Sequence, residues 1–313
     1  MAQSANTYAT FNSTINREQL MDKIWNVSVK DTPFVKLIGK GKADGVFDEW
    51  STDEYRAAKA NKVEQGNNAT RTPRTPPLRY GNRTQIVEDT FGVTGTQEAV
   101  EKAGGKSEYN RQLAKTMVEL KKDIEFACLQ NTTAIAAAAG VAPQARGLFG
   151  FMSHNVSFGT GGAAANPLTN TAAVDGTTRA FTEDLLKGVL QQMFDNGADM
   201  DESYILLPSS QRTKFDAMLG GQTRFDKAED KTLTATLDVY VGPFGRVKAV
   251  NARHMRQREI AIINPEFLEL AVLRPMKDKP LGVTGDTQDV MVNCEFTLRD
   301  YNPKAHGAIL DLN

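Results

Sequence analysis

Apolar and polar positions follow two periods along this chain, and the changes of period mark its elements. From Arg17 to Val29, Leu20, Ile24 and Val27 recur at spacings of four and three, which predicts a short amphipathic helix. Asp31-Thr32-Pro33-Phe34 ends it, because the residue before a proline is pushed out of the helical region. Residues 1–15 are polar and small, an arm with little to bury. β-Branched and aromatic residues in loose alternation mark strands at 46–56 and 84–95. The 27 residues between them, 57–83, are rich in Asn, Thr, Arg, Pro and Gly, and so long a connection is normally functional or disordered.

The unit 45–98 therefore reads as one long hairpin with a broad tip, with Trp50, Tyr55, Ile86 and Phe91 as strand residues. Twelve strand residues reach roughly 40 Å, against a radius of gyration of about 20 Å for a compact chain of this length. An isolated two-stranded hairpin is only marginally stable in water, so the ribbon needs another surface to lie on. A neighbouring subunit would supply one.

The clearest helix spans 107–131. Ser107 follows Gly104-Gly105 as a good N-cap, and Glu108 sits where the helix dipole favours an acid. Leu113, Met117, Leu120, Ile124 and Cys128 then recur at spacings of three and four, on a helix about 37 Å long. A coiled-coil seam, a cofactor face and a core-facing stripe compete for this pattern. With fewer than four heptads and no second copy, the core stripe fits best.

Residues 132–180, rich in Ala, Gly, Asn and Thr, read as loops with low packing content. A second helix spans 181–196, with Leu185, Leu186, Val189, Leu190 and Met193 on its apolar face. Tyr204 to Leu207 reads as a buried strand that runs into a helix ending near Leu219. Strands then alternate with turns at 237–241, 247–250, 259–263, 267–273, 289–299 and 307–311. The order is α+β, without regular βαβ units or an internal repeat.

Composition narrows the class. The 313 residues can bury a substantial core as one large domain or two ordinary ones. No apolar run is long enough to span a bilayer, and the polar N-terminus argues against a secretory signal. Cys128 and Cys294 lie far apart, which suits a reducing compartment better than a disulfide framework. A net charge of −1 carries no footprint for nucleic acid. Locally the balance shifts. Arg56, Lys59, Lys62, Arg71, Arg74, Arg79 and Arg83 face only Glu64 between positions 56 and 83. Glu183, Asp184, Asp195, Asp199, Asp201 and Glu202 face only Lys187 between 183 and 202. These are either two solvated surfaces or complementary patches that steer contacts between subunits.

Catalytic signatures are missing. Gly104-Gly105-Lys106-Ser107 lacks the earlier glycine of a phosphate loop, since position 100 is Val100. His154, His254 and His306 show no metal-ligand spacing, and Ser209-Ser210 lies in no nucleophile elbow. Asp199, Asp201 and Glu202 lack the glycine and spacing of a calcium loop. No enzyme activity, cofactor or metal is expected.

Several blocks resemble, in order, a family of tailed-phage major capsid proteins. They are Asp31-Thr-Pro-Phe34 through Ile38-Gly-Lys-Gly-Lys-Ala43, Glu49-Trp50, Gly95-Thr-Gln-Glu-Ala-Val100, Leu120-Lys-Lys-Asp-Ile-Glu125, and Thr297-Leu-Arg-Asp-Tyr-Asn302 with Ala305-His-Gly307. The resemblance implies a Hong-Kong-97-type capsid fold and a chain divided into arm (1–44), extended loop (45–98), peripheral domain with spine helix (99–133), axial domain (134–265) and closing strands of the peripheral domain with the C-terminus (266–313).

It also implies a virion shell of hexamers and pentamers, assembled from many copies in the host cytoplasm around double-stranded DNA, without a membrane. A separate scaffolding protein is expected, because little precedes residue 15, together with a portal and possible decoration proteins. The basic residues from Arg56 to Arg83 would contact a neighbour, and Glu183 to Glu202 would be a counter-patch. A cellular nanocompartment shell, a tail or adaptor protein, and a nucleotide hydrolase on the 104–107 turn are the alternatives.

Overall fold

A computed structural model of the chain describes residues 31–68, 71–100, 107–219, 239–282 and 285–313. The helix expected over Arg17–Val29 and the arm before it lie outside these residues. In chain order the elements are α1 (Pro33–Leu37), β1 (Gly39–Lys42), β2 (Phe47–Thr52), β3 (Leu78–Arg83), β4 (Gln85–Thr94), α2 (Gly95–Ala99), α3 (Glu108–Gln130), α4 (Leu148–Phe151) and β5 (Val156–Ser157). They continue with α5 (Glu183–Asp195), β6 (Tyr204–Leu207), α6 (Ser209–Leu219), β7 (Val239–Gly242), β8 (Gly245–Asn251), β9 (Ile260–Ile263), β10 (Leu268–Pro280), β11 (Thr287–Asp300) and β12 (Gly307–Ile309).

Among the described residues the strands form three sheets. A four-stranded sheet runs β1-β10-β11-β4, a six-stranded sheet runs β5-β12-β9-β6-β8-β7, and β2 pairs with β3 alone. Helix α3 lies against the first sheet and starts as the sequence predicts, with the Ser107 hydroxyl accepting from Asn110 N. Along its apolar stripe Leu120, Ile124 and Cys128 are buried, while Leu113 and Met117 are only half-buried.

The six-stranded sheet has a core on each side, because side chains alternate across a strand. On β9, Ile260 and Ile262 join Leu186, Leu190, Met193 and Phe215 of α5 and α6. Ala261 and Ile263 turn the other way and join Phe34, Ile124, Leu148, Phe151 and Phe296. This shared strand makes the two sheets one packed body.

Two polar devices set how α1 and α3 meet. Glu125, fully buried on α3, accepts from the backbone amides of Phe34 at 3.1 Å and Val35 at 2.9 Å. It caps the otherwise open N-terminus of α1, whose own Thr32 makes no side-chain cap. Burial raises the carboxyl's pKa, and the two amides oppose that rise. Beyond α3 the chain crosses the helix end at Gly147, where a Cβ would lie 2.7 Å from the carbonyl oxygens of Asn131 and Cys128. Only glycine fits that approach.

Three expectations need correction. The strand read at 84–95 does not return to 46–56; β4 instead pairs antiparallel with β11, from Gln85 with Phe296 to Thr94 with Thr287. The partner of β2 is β3, from Phe47 with Arg83 to Thr52 with Leu78. Leu78-Arg-Tyr-Gly-Asn-Arg83 carries little strand propensity, and the Phe47 ring packs over its glycine, lying 2.7 Å from where a Cβ at Gly81 would be. The strand expected at 307–311 is present as β12 and joins the middle of the six-stranded sheet, between β5 and β9. Residues 132–180 are also not loosely packed throughout, since Leu148, Phe149, Phe151 and Met152 are core residues.

Candidate functional site

Between β2 and β3 the chain leaves the body. From Asp53 to Pro77 no described residue belongs to a strand or helix, and every described residue is exposed. Tyr55 is 103% exposed and Val63 74%, values that place both side chains in solvent. Extended backbone suits Thr72-Pro-Arg-Thr-Pro-Pro77, since proline and the residue before it favour that region.

The root of this excursion is firmly fixed. Asn82, fully buried on β3, donates through Nδ2 to the carbonyls of Arg146 at 3.0 Å and Leu298 at 2.8 Å, and its Oδ1 accepts from Arg146 N at 2.8 Å. Trp50 Nε1 donates to Asp300 O at 2.7 Å, with its ring against Phe151 and Tyr301. Thr84 Oγ1 donates to Glu295 Oε1 at 2.6 Å. Arg299 bridges Asp48 at 3.1 Å and Glu269 at 2.9 Å, and its bond to Asp48 raises its pKa further. The guanidinium of Arg146 reaches Gly81 O and Asn170 Oδ1 and lies over the Phe151 ring. Burial lowers its pKa to about 10.

The basic residues divide between tip and stem. Arg56, Lys59, Lys62, Arg71 and Arg74 lie on the exposed excursion. Arg79 and Arg83 belong to β3, where Arg79 pairs with Glu49 at 3.8 Å and Arg83 covers the Phe47 ring at 4.8 Å. Of the expected strand residues only Trp50 is on the hairpin. Tyr55 lies beyond its end, and Ile86 and Phe91 are on β4, with Phe91 against Tyr109 of α3.

The acidic residues do not form one patch. Glu183 and Asp184 open α5, where Glu183 pairs with Lys187 at 3.0 Å. Asp195, Asp199, Asp201 and Glu202 lie at its other end, about 18 Å away along the helix, and are exposed. The Asp199 carboxylate accepts from Asp201 N and shapes its own turn, while that of Asp201 accepts from Arg246 N and ties the turn to β8.

Sequence reasoning missed the buried polar residues Asn82, Glu125 and Arg146, because nothing in a single chain separates an anchoring Asn, Glu or Arg from a surface one. Among the described residues no group of His, Cys, Asp and Glu could hold a metal ion, and no helix is long and apolar enough to cross a membrane.

Structural comparison shows that this α+β fold is shared with chains from solved phage and GTA capsids. The cyanophage A-1(L) capsid subunit superposes with a TM-score of 0.66 at 15% identity, over 97% of this chain and 99% of the other. The capsid subunit of a native GTA particle gives 0.66 at 11%, over 99% and 100%. A chain from Mycobacterium phage Bobi gives 0.60 at 9%, over 95% and 96%.

Sequence narrows the class further. The chain belongs to the SU10 major capsid protein family, which it matches over residues 3–313. It is 23% identical to the major capsid protein of Escherichia phage Phieco32, across 90% of each chain. It is thus a phage major capsid protein, a structural subunit whose partner is many copies of itself.

Proposed function

We propose that this subunit builds a Hong-Kong-97-type icosahedral shell of hexamers and pentamers by laying its excursion, residues 53–77, on an adjacent copy. The carrying observation is the contrast between a stem locked by buried hydrogen bonds and a tip whose described residues are all exposed. A segment of this length with no internal packing gains stability only by contact with another surface. On this reading the four-stranded sheet with α3 is the peripheral domain and the six-stranded sheet the axial domain. The shell encloses double-stranded DNA without reading its sequence, in keeping with a net charge of −1. Assembly proceeds in the host cytoplasm with a separate scaffolding protein and a portal, and decoration proteins can be added.

Arg56, Lys59, Lys62, Arg71 and Arg74 anchor the tip. Arg79 and Arg83 stabilise the stem and are poor probes of assembly. Reversing the five tip residues to glutamate leaves thermal unfolding of the subunit unchanged and abolishes closed particles in negative-stain microscopy. Normal particle yield from that variant rejects the reading.

A further inference from the structure

The 44 residues from Asn131 to Val174 carry one charged side chain, Arg146. At the chain's average of 24% charged residues, roughly ten would be expected. A buried segment would explain the deficit, but 19 of these 44 residues are exposed. Its first part is a tight hairpin in which Ile135 pairs with Gln144 and Ala138 with Val141, turning at Gly140 with φ of 78°. All eight residues from Ile135 to Ala142 are exposed and none is polar. A second hairpin pairs Ala163 with Val174 and Asn166 with Thr171, and exposes Leu168 and Val174 by 51% and 52%.

The two hairpins are bonded into one ledge. Asn170 accepts from Ala134 N at 2.9 Å, donates to Ala134 O at 2.7 Å, and accepts from Arg146 at 2.8 Å. Through Arg146 the ledge is fixed to the root of the excursion at Gly81. Its backbone pairs within each hairpin, so the exposure belongs to an ordered fold.

We infer that this charge-free ledge is a contact surface for a second copy of the chain. Depletion of charge marks the core of a protein interface, and a contiguous exposed apolar patch marks an interaction site. Nucleic acid would call for cations here, and a membrane surface for cations with large aromatic residues. Every subunit carries this surface, and another copy is the partner that capsid-family membership establishes. The inference rests on that membership and not on where the excursion docks.

The test uses Val141→Cys. The native thiols, Cys128 and Cys294, are 2% and 4% exposed, so they give little background. Particles are assembled from a mixture of isotopically light and heavy subunits. Maleimide labelling at position 141 should be slower by about tenfold in particles than in free subunits. A maleimide–diazirine reagent attached at position 141 before assembly and photolysed in particles should join it to light–heavy peptide pairs of this chain. A second variant, Val141→Asp, should keep the subunit's unfolding midpoint and lose particles. Equal labelling rates in the two states, or cross-links to a different protein alone, would overturn the inference, as would full particle yield from Val141→Asp.

Discussion

The side chain of Asn82 pairs with the backbone of Arg146 in both directions, donating to its carbonyl at 3.0 Å and accepting from its amide at 2.8 Å. A side-chain amide here imitates one rung of a β ladder. It ties the stem of the excursion to a segment 64 residues further on that belongs to no strand.

Asn82→Asp keeps the shape and the acceptor but removes the donor to Arg146 O and Leu298 O. At neutral pH it also sets a carboxylate against two buried carbonyls. Equilibrium urea unfolding should show a loss of at least about 2 kcal/mol. A cost within error of zero would mean the stem is held by other contacts.

Leu120 is fully buried in α3, at the centre of the stripe read from the sequence. Leu120→Ala should destabilise the subunit by about 2–5 kcal/mol in chemical denaturation, through lost burial and the cavity left behind. A near-neutral result would mean that this helix face is not packed.

Glu259 is 5% exposed and lies 2.9 Å from Arg256, which also pairs with Asp175. Burial raises its pKa to about 7, with Asp175 and Asp311 adding to the rise and Arg256 and Arg258 opposing it. The folded state therefore binds this proton more tightly than the unfolded chain, where the carboxyl titrates near 4.5. Its contribution to stability is largest below pH 4.5, declines as pH rises towards 7, and is constant above. Glu259→Gln should flatten the dependence between pH 5 and 8 and leave the variant more stable at pH 8, by roughly 1–3 kcal/mol. An unchanged slope would show that another group titrates there.

The legible part of the fold was its periodic part. Ser107 and the stripe from Leu113 to Cys128 placed α3 within a residue at each end, and most strands after Tyr204 followed from alternation. Strand pairing was not legible. Thr84 to Gly95 has the pattern of a half-buried strand, yet pattern does not say which neighbour buries it, and β11 lies two hundred residues away. Leu78 to Arg83 was missed because Arg, Gly and Asn hide a strand whose purpose is to hold Phe47 and Asn82. At the site, the cluster of basic residues was visible, but its division between tip and stem required the register of β2 on β3.

The short blocks that carried the family resemblance hold many of the polar residues that lock the body. Glu125 caps α1, Trp50 reaches Asp300, and Arg299 joins Asp48 to Glu269. His306, fully buried, accepts from Asn264 N at Nδ1 and faces Asp300 across 3.2 Å at Nε2.

The position of β12 has a consequence for when a subunit becomes usable. The six-stranded sheet has its gap between β5 and β9 filled by residues 307–309, which the ribosome makes after all five other strands. Until they emerge, β5 has no partner and the apolar floor under α5 stays open. A product that stops before residue 307 would therefore lack the strand that joins β5 to β9.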